Sequence, residues 1–466
     1  MGIITEFTRI KKSCLKYLIC LHIVFFLCCP DYSDADSWKA GAASRVITPE
    51  ESSWMVGYGA GKPSAGKIHD LYVKAFAIED PDGTKAVIVT ADLIGLTKEF
   101  SNDIALEVTK RFNLPRETIL FNTSHTHCGP GISNPFKTLP DEYAKKLETY
   151  VPWLKNRYID VIGESLHNLE PVDISFSSVK PVPFAVSRRY PTPEGIAYRS
   201  SPSSYYTGGP RDDIVPVLRA IDSDGAVKAI VFGYSCHPIT LNIDKFCGDY
   251  PGYAQRYIEE YYPGSVALFV QGCGGELVPN ARFQLEYAMG HGKALADAVK
   301  KALDGKQIPV TGQLRCAYGE AALELQHVPD KNELEDNLNS DDTFIRNKSA
   351  YLLKQIENNG KIDTTYPCPL QAMHIGNDLL LVGIGGETVA GYSEKIKTKY
   401  SSNQFVWVAG YCNEVFAYLP TLKILKEGGY EGERAMTYFT IPSPFAETVE
   451  MRVLDGVHTL VGKISE

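Results

Sequence analysis

Three stretches of this chain share one plan, and that plan constrains the fold more than any other feature of the sequence. Tyr72–Asp80 is apolar and alternating, Pro81-Asp82-Gly83-Thr84 is a turn, and Ala86–Ala91 is a buried-type strand that ends at Asp92. Val215–Ile221 leads through Asp222-Ser223-Asp224-Gly225 to Ala229–Tyr234, which runs on to His237. Gln371–Ile375 leads through Gly376-Asn377-Asp378 to Leu379–Ile384, and then to Gly385-Gly386-Glu387. Asp-Gly and Gly-Asn supply the positive φ that tight turns require, so each stretch reads as a hairpin. Each second strand delivers a polar residue at or just past its end. Helical patterns lie between: Asp141–Leu169, which Pro152 should split or kink, then Pro251–Tyr261 and Tyr287–Leu303. Strands alternating with helices predict an α/β fold of mixed β-sheets flanked by helices.

No Pro/Gly/Ser linker, low-complexity tract or 20–50-residue repeat interrupts the chain from about Ala40 onward. We therefore expect one large domain over 40–466. The stretch His327–Pro367 differs, being rich in Asp, Asn, Lys and Glu. It reads as a surface insertion with one helix, Ile345–Asn358, and as a solvated decoration rather than a lid.

The first residues stand apart. Arg9, Lys11 and Lys12 precede an apolar run, Leu15 to Cys29, broken only by Lys16 and His22, with Asp31-Tyr32-Ser33-Asp34 following. This is a secretory signal pattern over 1–35, and it predicts an exported protein: secreted, periplasmic or at the cell surface. An uncleaved anchor and lipidation at Cys28 or Cys29 remain as alternatives. Beyond the leader seven cysteines remain (128, 236, 247, 273, 316, 368 and 412), with no CxxC, so an exported chain keeps at least one thiol free or pairs it between chains. The net charge of −9 and the lack of any basic stripe exclude a nucleic-acid partner. No stable protein partner is implied.

The chemistry is concentrated in Thr123-Ser124-His125-Thr126-His127-Cys128-Gly129-Pro130-Gly131, just after the strand-like Thr118–Phe121. A strand ending there would present His125 and His127 on one face, because side-chain direction has a period of two. Neutral imidazole is the commonest metal ligand. His237, before Pro238, is a second candidate, although read alone it is better taken as a satisfied core histidine. Glu387, after two glycines, is a third, although its carboxylate would equally cap a following helix. Two histidines and a carboxylate form a usual catalytic zinc set. Neither HExxH nor GxSxG is present.

These segments resemble the neutral/alkaline ceramidases. Ser124–Gly131 is similar to their THTHSGPG segment, and Cys236-His237-Pro238, Gly248–Ala254, Gln271–Asn280, Gly386-Glu387 and Tyr418–Glu431 follow in the family's order. The resemblance implies one Zn2+ held by His125, His237, Glu387 and Tyr418. It places His127 beside the metal as a proton-handling group and Arg188, or its neighbour Arg189, at the oxyanion or substrate. Tyr430 matches a family tyrosine that stabilises the transition state. The implied activity is hydrolysis of an amide bond in ceramide or another N-acyl compound. An esterase or deacylase working on a glycan and a non-catalytic metal-binding protein are the alternatives, so the partner is a small molecule or lipid, with a glycan as a further option.

Two departures bear on substrate. Where the ceramidases carry a serine in Gly-Asp-Val-Ser-Pro-Asn, this chain reads Gly275-Glu276-Leu277-Val278-Pro279-Asn280. The ceramidases also carry a C-terminal β-sandwich domain, which we do not expect before Glu466.

Overall fold

The structure, a computed structural model, describes residues 37–180, 184–198 and 208–465. The predicted leader and its cysteines lie outside the described residues. Residues from Trp38 onward form one compact unit. No helix among the described residues is long and apolar enough to cross a membrane.

The hairpin plan is deeper than the sequence suggested, because each hairpin is the middle of a larger unit. In the first unit β1 (Lys39–Val46) pairs antiparallel with β2 (Tyr72–Glu79), and β2 with β3 (Lys85–Ala91). Helix α1 (Lys98–Phe112) then crosses over to β4 (Ile119–Thr123), which lies parallel to β3. After α2 (Asp141–His167) the pattern repeats with β5 (Asp173–Val179), β6 (Val215–Ile221) and β7 (Val227–Tyr234). Helix α3 (Asp249–Tyr261) leads to β8 (Val266–Gln271), parallel to β7, and α4 (Leu285–Leu303) closes the unit. The third unit begins with β9 (Leu314–Glu324), followed by an insertion of two helices, α5 (Lys331–Asn337) and α6 (Thr343–Asn359). It resumes with the hairpin β10 (Thr365–Ile375) and β11 (Leu379–Ile384). Helix α7 (Ala390–Tyr400) crosses to β12 (Phe405–Ala409), parallel to β11, and α8 (Val449–Ser465) ends the chain's described part. A parallel neighbour requires a crossover, and each unit uses one helix for it.

Alternation along these strands builds the layers. Ile88, Leu120, Val231, Leu268, Val270, Leu379 and Leu381 point into one central cluster fed by all three sheets. Their strand neighbours point outward: Val87, Val89, Ile119 and Phe121 under α1 and α2, Ile230, Phe232 and Phe269 under α3 and α4, and Leu380, Val382 and Ile384 under α7 and α8. The three sheets meet at Asn122, which is buried. Its Nδ2 donates to Gly410 O at 2.8 Å and Gln271 O at 3.3 Å, and its Oδ1 accepts from Gln271 N at 2.8 Å.

Two expectations need correction. Helix α2 runs through Pro152 without splitting, because Leu154, Tyr158, Ile159, Val161 and Ile162 bury a full face against the first sheet and outweigh the lost backbone bond. The insertion carries two helices rather than one, with a small core of Leu334, Leu352 and Ile362. Among the described residues there are seven cysteines, all unpaired, and six of them are buried.

Candidate metal centre

The centre lies where the hairpin and parallel strands of the three units end, the usual crevice of sheets with parallel strands. Strand β4 stops at Thr123, so strand periodicity is not what aligns the two histidines. His125 instead adopts a left-handed backbone, φ 65°, with its N–H bonded to Leu93 O at 2.9 Å. That turn brings its ring to 5.0 Å from that of His127 and 4.9 Å from that of His237. Tyr411 and Asn413, just past β12, are left-handed as well. Strained backbone gathered at one place marks a site whose surroundings over-determine it.

His125, His237 and Glu387 converge. Glu387 Oε2 lies 3.2 Å from His125 Nε2 and 3.0 Å from His237 Nε2. The other ring nitrogen of each histidine faces a backbone carbonyl: His125 Nδ1 faces Ile94 O, and His237 Nδ1 faces Gly274 O at 2.8 Å. A neutral imidazole has one N–H, and here the carbonyl takes it, so both Nε2 lone pairs point at a carboxylate oxygen. Three acceptors then share one spot, which is repulsive unless a cation sits between them. Tyr418 adds a fourth atom, its Oη, 3.2 Å from His237 Nε2. Glu387 and Tyr418 are held side by side because Glu387-Thr388 pairs parallel with Tyr418-Leu419. Glu387 does not cap α7. Glu276 does that, accepting from Ala390 N at 3.0 Å.

The electrostatics agree. Burial pushes the His237 pKa down to about 4, so the ring is neutral near pH 7. Burial raises the Tyr418 hydroxyl well above 10, against the pull of Arg188.

His127 belongs to the same cluster, since one nitrogen of each of His125, His127 and His237 lies within 4.8 Å of the others. Both of its ring nitrogens are buried without a hydrogen-bond partner. Its ring is backed by Tyr58 at 4.9 Å and by Gly57, where a Cβ would meet Nδ1 at 2.6 Å. The donor set therefore fits a zinc ion by its chemistry: nitrogen and oxygen ligands, unpartnered lone pairs and a buried carboxylate.

Of the two candidate arginines, Arg188 faces this cluster. Its Nη2 donates to Tyr418 Oη at 2.9 Å and to Gly275 O at 2.8 Å. Arg189 turns away to Glu427, Gly428 O and Glu431. Tyr430 stands 5.4 Å from the Tyr418 ring and 5.2 Å from the Arg188 guanidinium. Sequence reasoning gave no role to Glu431 or Tyr411. Glu431 is buried between both arginines, at 2.7 Å from Arg188 Nε and 2.8 Å from Arg189 Nη1, and Tyr411 places its ring 4.6 Å from that of His125. Only position marked Glu431, directly after Tyr430; no local pattern marked Tyr411. Val278 is fully buried and packs with Val186, Ile239 and Tyr58.

No protein-family profile matches the chain. Solved structures do match in three dimensions. A ceramidase complexed with C2 superposes with a TM-score of 0.69 at 18% identity, over 89% of this chain and 73% of that one. The neutral ceramidase from Pseudomonas aeruginosa gives a TM-score of 0.69 at 16% identity, over 90% of this chain and 73% of that one. At such identity the likeness is one of fold, and the chain has the fold of the neutral ceramidases.

Proposed function

We propose that this chain is a zinc-dependent hydrolase that cleaves the amide bond of a ceramide-like N-acyl compound. The observation that carries the reading is the meeting of His125 Nε2, His237 Nε2 and Glu387 Oε2 around one point, with Tyr418 beside it. These four residues would hold the metal. Zinc, when bound, acts as a Lewis acid and makes water a nucleophile at neutral pH.

The remaining residues prepare the carbonyl for attack and the amine for departure. Glu431 fixes Arg188 by its Nε, which keeps the guanidinium beside Tyr418 and Tyr430. Arg188 and Tyr430 stand beside Tyr418 and would donate to charge developing on the substrate oxygen, each good donor contributing roughly 3 kcal/mol in such a role. The unpartnered nitrogens of His127 carry a proton to the leaving amine, which an amide does not expel unprotonated. The N-terminal basic and apolar run supports export as the setting.

Hydrolysis of a labelled N-acylsphingosine by the zinc-loaded protein and by His237→Ala tests this. Fatty-acid release by wild type, lost in the variant, is expected. Zinc binding without release, together with cleavage of an acyl ester or acylated glycan, would move the proposal to the esterase reading.

A further inference from the structure

The side chain of Tyr411 meets both imidazoles that converge on Glu387. Its ring centroid lies 4.6 Å from that of His125, tilted at 46°, and 6.0 Å from that of His237, edge-on at 85°. The two imidazoles are themselves 4.9 Å apart at 83°. The rings pack as a triangle, and neither imidazole turns without pressing on the tyrosine. The Tyr411 Oη stands 3.4 Å from His237 Nδ1, on the edge of that ring away from the Nε2 atom that faces Glu387. His237 Nδ1 already donates to Gly274 O at 2.8 Å, so the hydroxyl is a weaker, second acceptor. The ring is the main contact.

Backbone fixes this ring from all three units. Gly410 N donates to Gln271 O at 3.2 Å, Tyr411 N to Gly386 O at 3.0 Å, Cys412 N to Ile384 O at 3.0 Å and Asn413 N to Phe121 O at 2.9 Å. The acceptors lie in β8, directly before Glu387, in β11 and in β4. Within this run Tyr411 takes φ 56°, a left-handed conformation uncommon for an aromatic residue. Such a conformation persists where the surroundings over-determine it. Gly410 O also accepts from Asn122 Nδ2, so the segment that closes the joint between the sheets delivers a buried ring to the histidines.

We propose that Tyr411 is a positioning residue for the metal: its ring sets the angle between the His125 and His237 imidazoles and so raises the affinity of the centre for zinc. Ligands oriented before the ion arrives lose less freedom on binding it. Outer contacts that orient metal ligands change metal affinity by about 10–100-fold. The inference rests on the metal reading above and adds to it a residue outside the ligand set.

The test is zinc affinity by chelator competition, together with the visible spectrum of the cobalt-loaded protein, on wild type, Tyr411→Phe and Tyr411→Leu. Tyr411→Phe keeps the ring and should bind zinc within about threefold of wild type, with the same cobalt bands. Tyr411→Leu should bind at least about tenfold more weakly, with altered cobalt bands, because the imidazoles are then free to turn. Unfolding of the metal-free proteins is measured alongside, since lost packing alone would lower that stability and leave the folded protein's zinc affinity and cobalt bands unmoved. If Tyr411→Leu does not fold, Tyr411→Gly serves, because glycine takes the left-handed backbone without strain. A folded variant without the ring that keeps wild-type zinc affinity and cobalt bands overturns the proposal. So does a Tyr411→Phe weakened as much as the variant without the ring. A wild-type protein that takes up no zinc overturns instead the metal reading beneath it.

Discussion

At the scale of residues, the centre is a set of side chains held from behind by backbone. Ile94 O and Gly274 O orient the two imidazoles, and Gly57 makes room for a third. Gly57 has φ 116°, a conformation that side-chain-bearing residues rarely adopt, and a Cβ there would press into the His127 ring. Gly57→Ala is therefore expected to lower stability by about 2–3 kcal/mol in denaturant unfolding. Gly59 also has positive φ, 54°, but nothing lies near its added Cβ, so Gly59→Ala should lose only about 1 kcal/mol. Equal losses at the two sites would contradict the tight seat described for His127. The histidines and Glu387 were legible because each ends a buried run punctuated by Gly or Pro. The geometry was not: the period-two argument aligned His125 and His127 for a reason the left-handed turn replaces. Tyr418 sits on a two-residue bridge with no periodicity, and Glu431 is paired to arginines more than 240 positions away.

At the scale of elements, the insertion shows how composition misleads. Its Asp, Asn, Lys and Glu residues read as a solvated decoration, yet one side of α6 packs on the turn Arg434–Tyr438 and on Phe136. Lys348 illustrates the difference. Burial lowers its pKa to about 8, against about 10.4 for a free lysine. Below pH 8 both folded and unfolded chains carry the proton, and the penalty of burying the charge is fully present. Between about pH 8 and 10.4 the unfolded chain binds more protons, so stability should rise with pH across that window. Measured as the difference from Lys348→Met, wild-type stability is expected to increase from pH 7.5 to about pH 10. A flat difference would mean that Lys348 is solvated, and would free α6 from the turn after Tyr430.

At the scale of the whole molecule, three copies of one plan enclose a shared core and aim their strand ends at one point. The hairpins were legible because their turns are local. Thr118–Phe121 read as a strand, but the parallel pairings of β4, β8 and β12 were not assigned, since a parallel pairing leaves no local signal and depends on a crossover helix. The joint at Asn122 was invisible for the same reason, because its partners belong to β8 and to the turn after β12. Asn122→Leu would strand Gly410 O and Gln271 N in the interior. Each unpaired buried group costs about 1–3 kcal/mol, so a loss of about 3 kcal/mol or more is expected in chemical denaturation. A loss below about 1 kcal/mol would show that the sheets do not depend on this joint.

The claim on which the rest depends is that the three acceptor atoms at the strand ends need a cation. Metal content by plasma mass spectrometry after equilibration with zinc and removal of excess, on wild type and on Glu387→Ala, tests it most directly. Close to one zinc per wild-type chain is expected, with most of it lost in the folded variant, whatever the substrate proves to be. A folded wild-type protein that retains no zinc, or a Glu387→Ala variant that retains all of it, would contradict the centre described here.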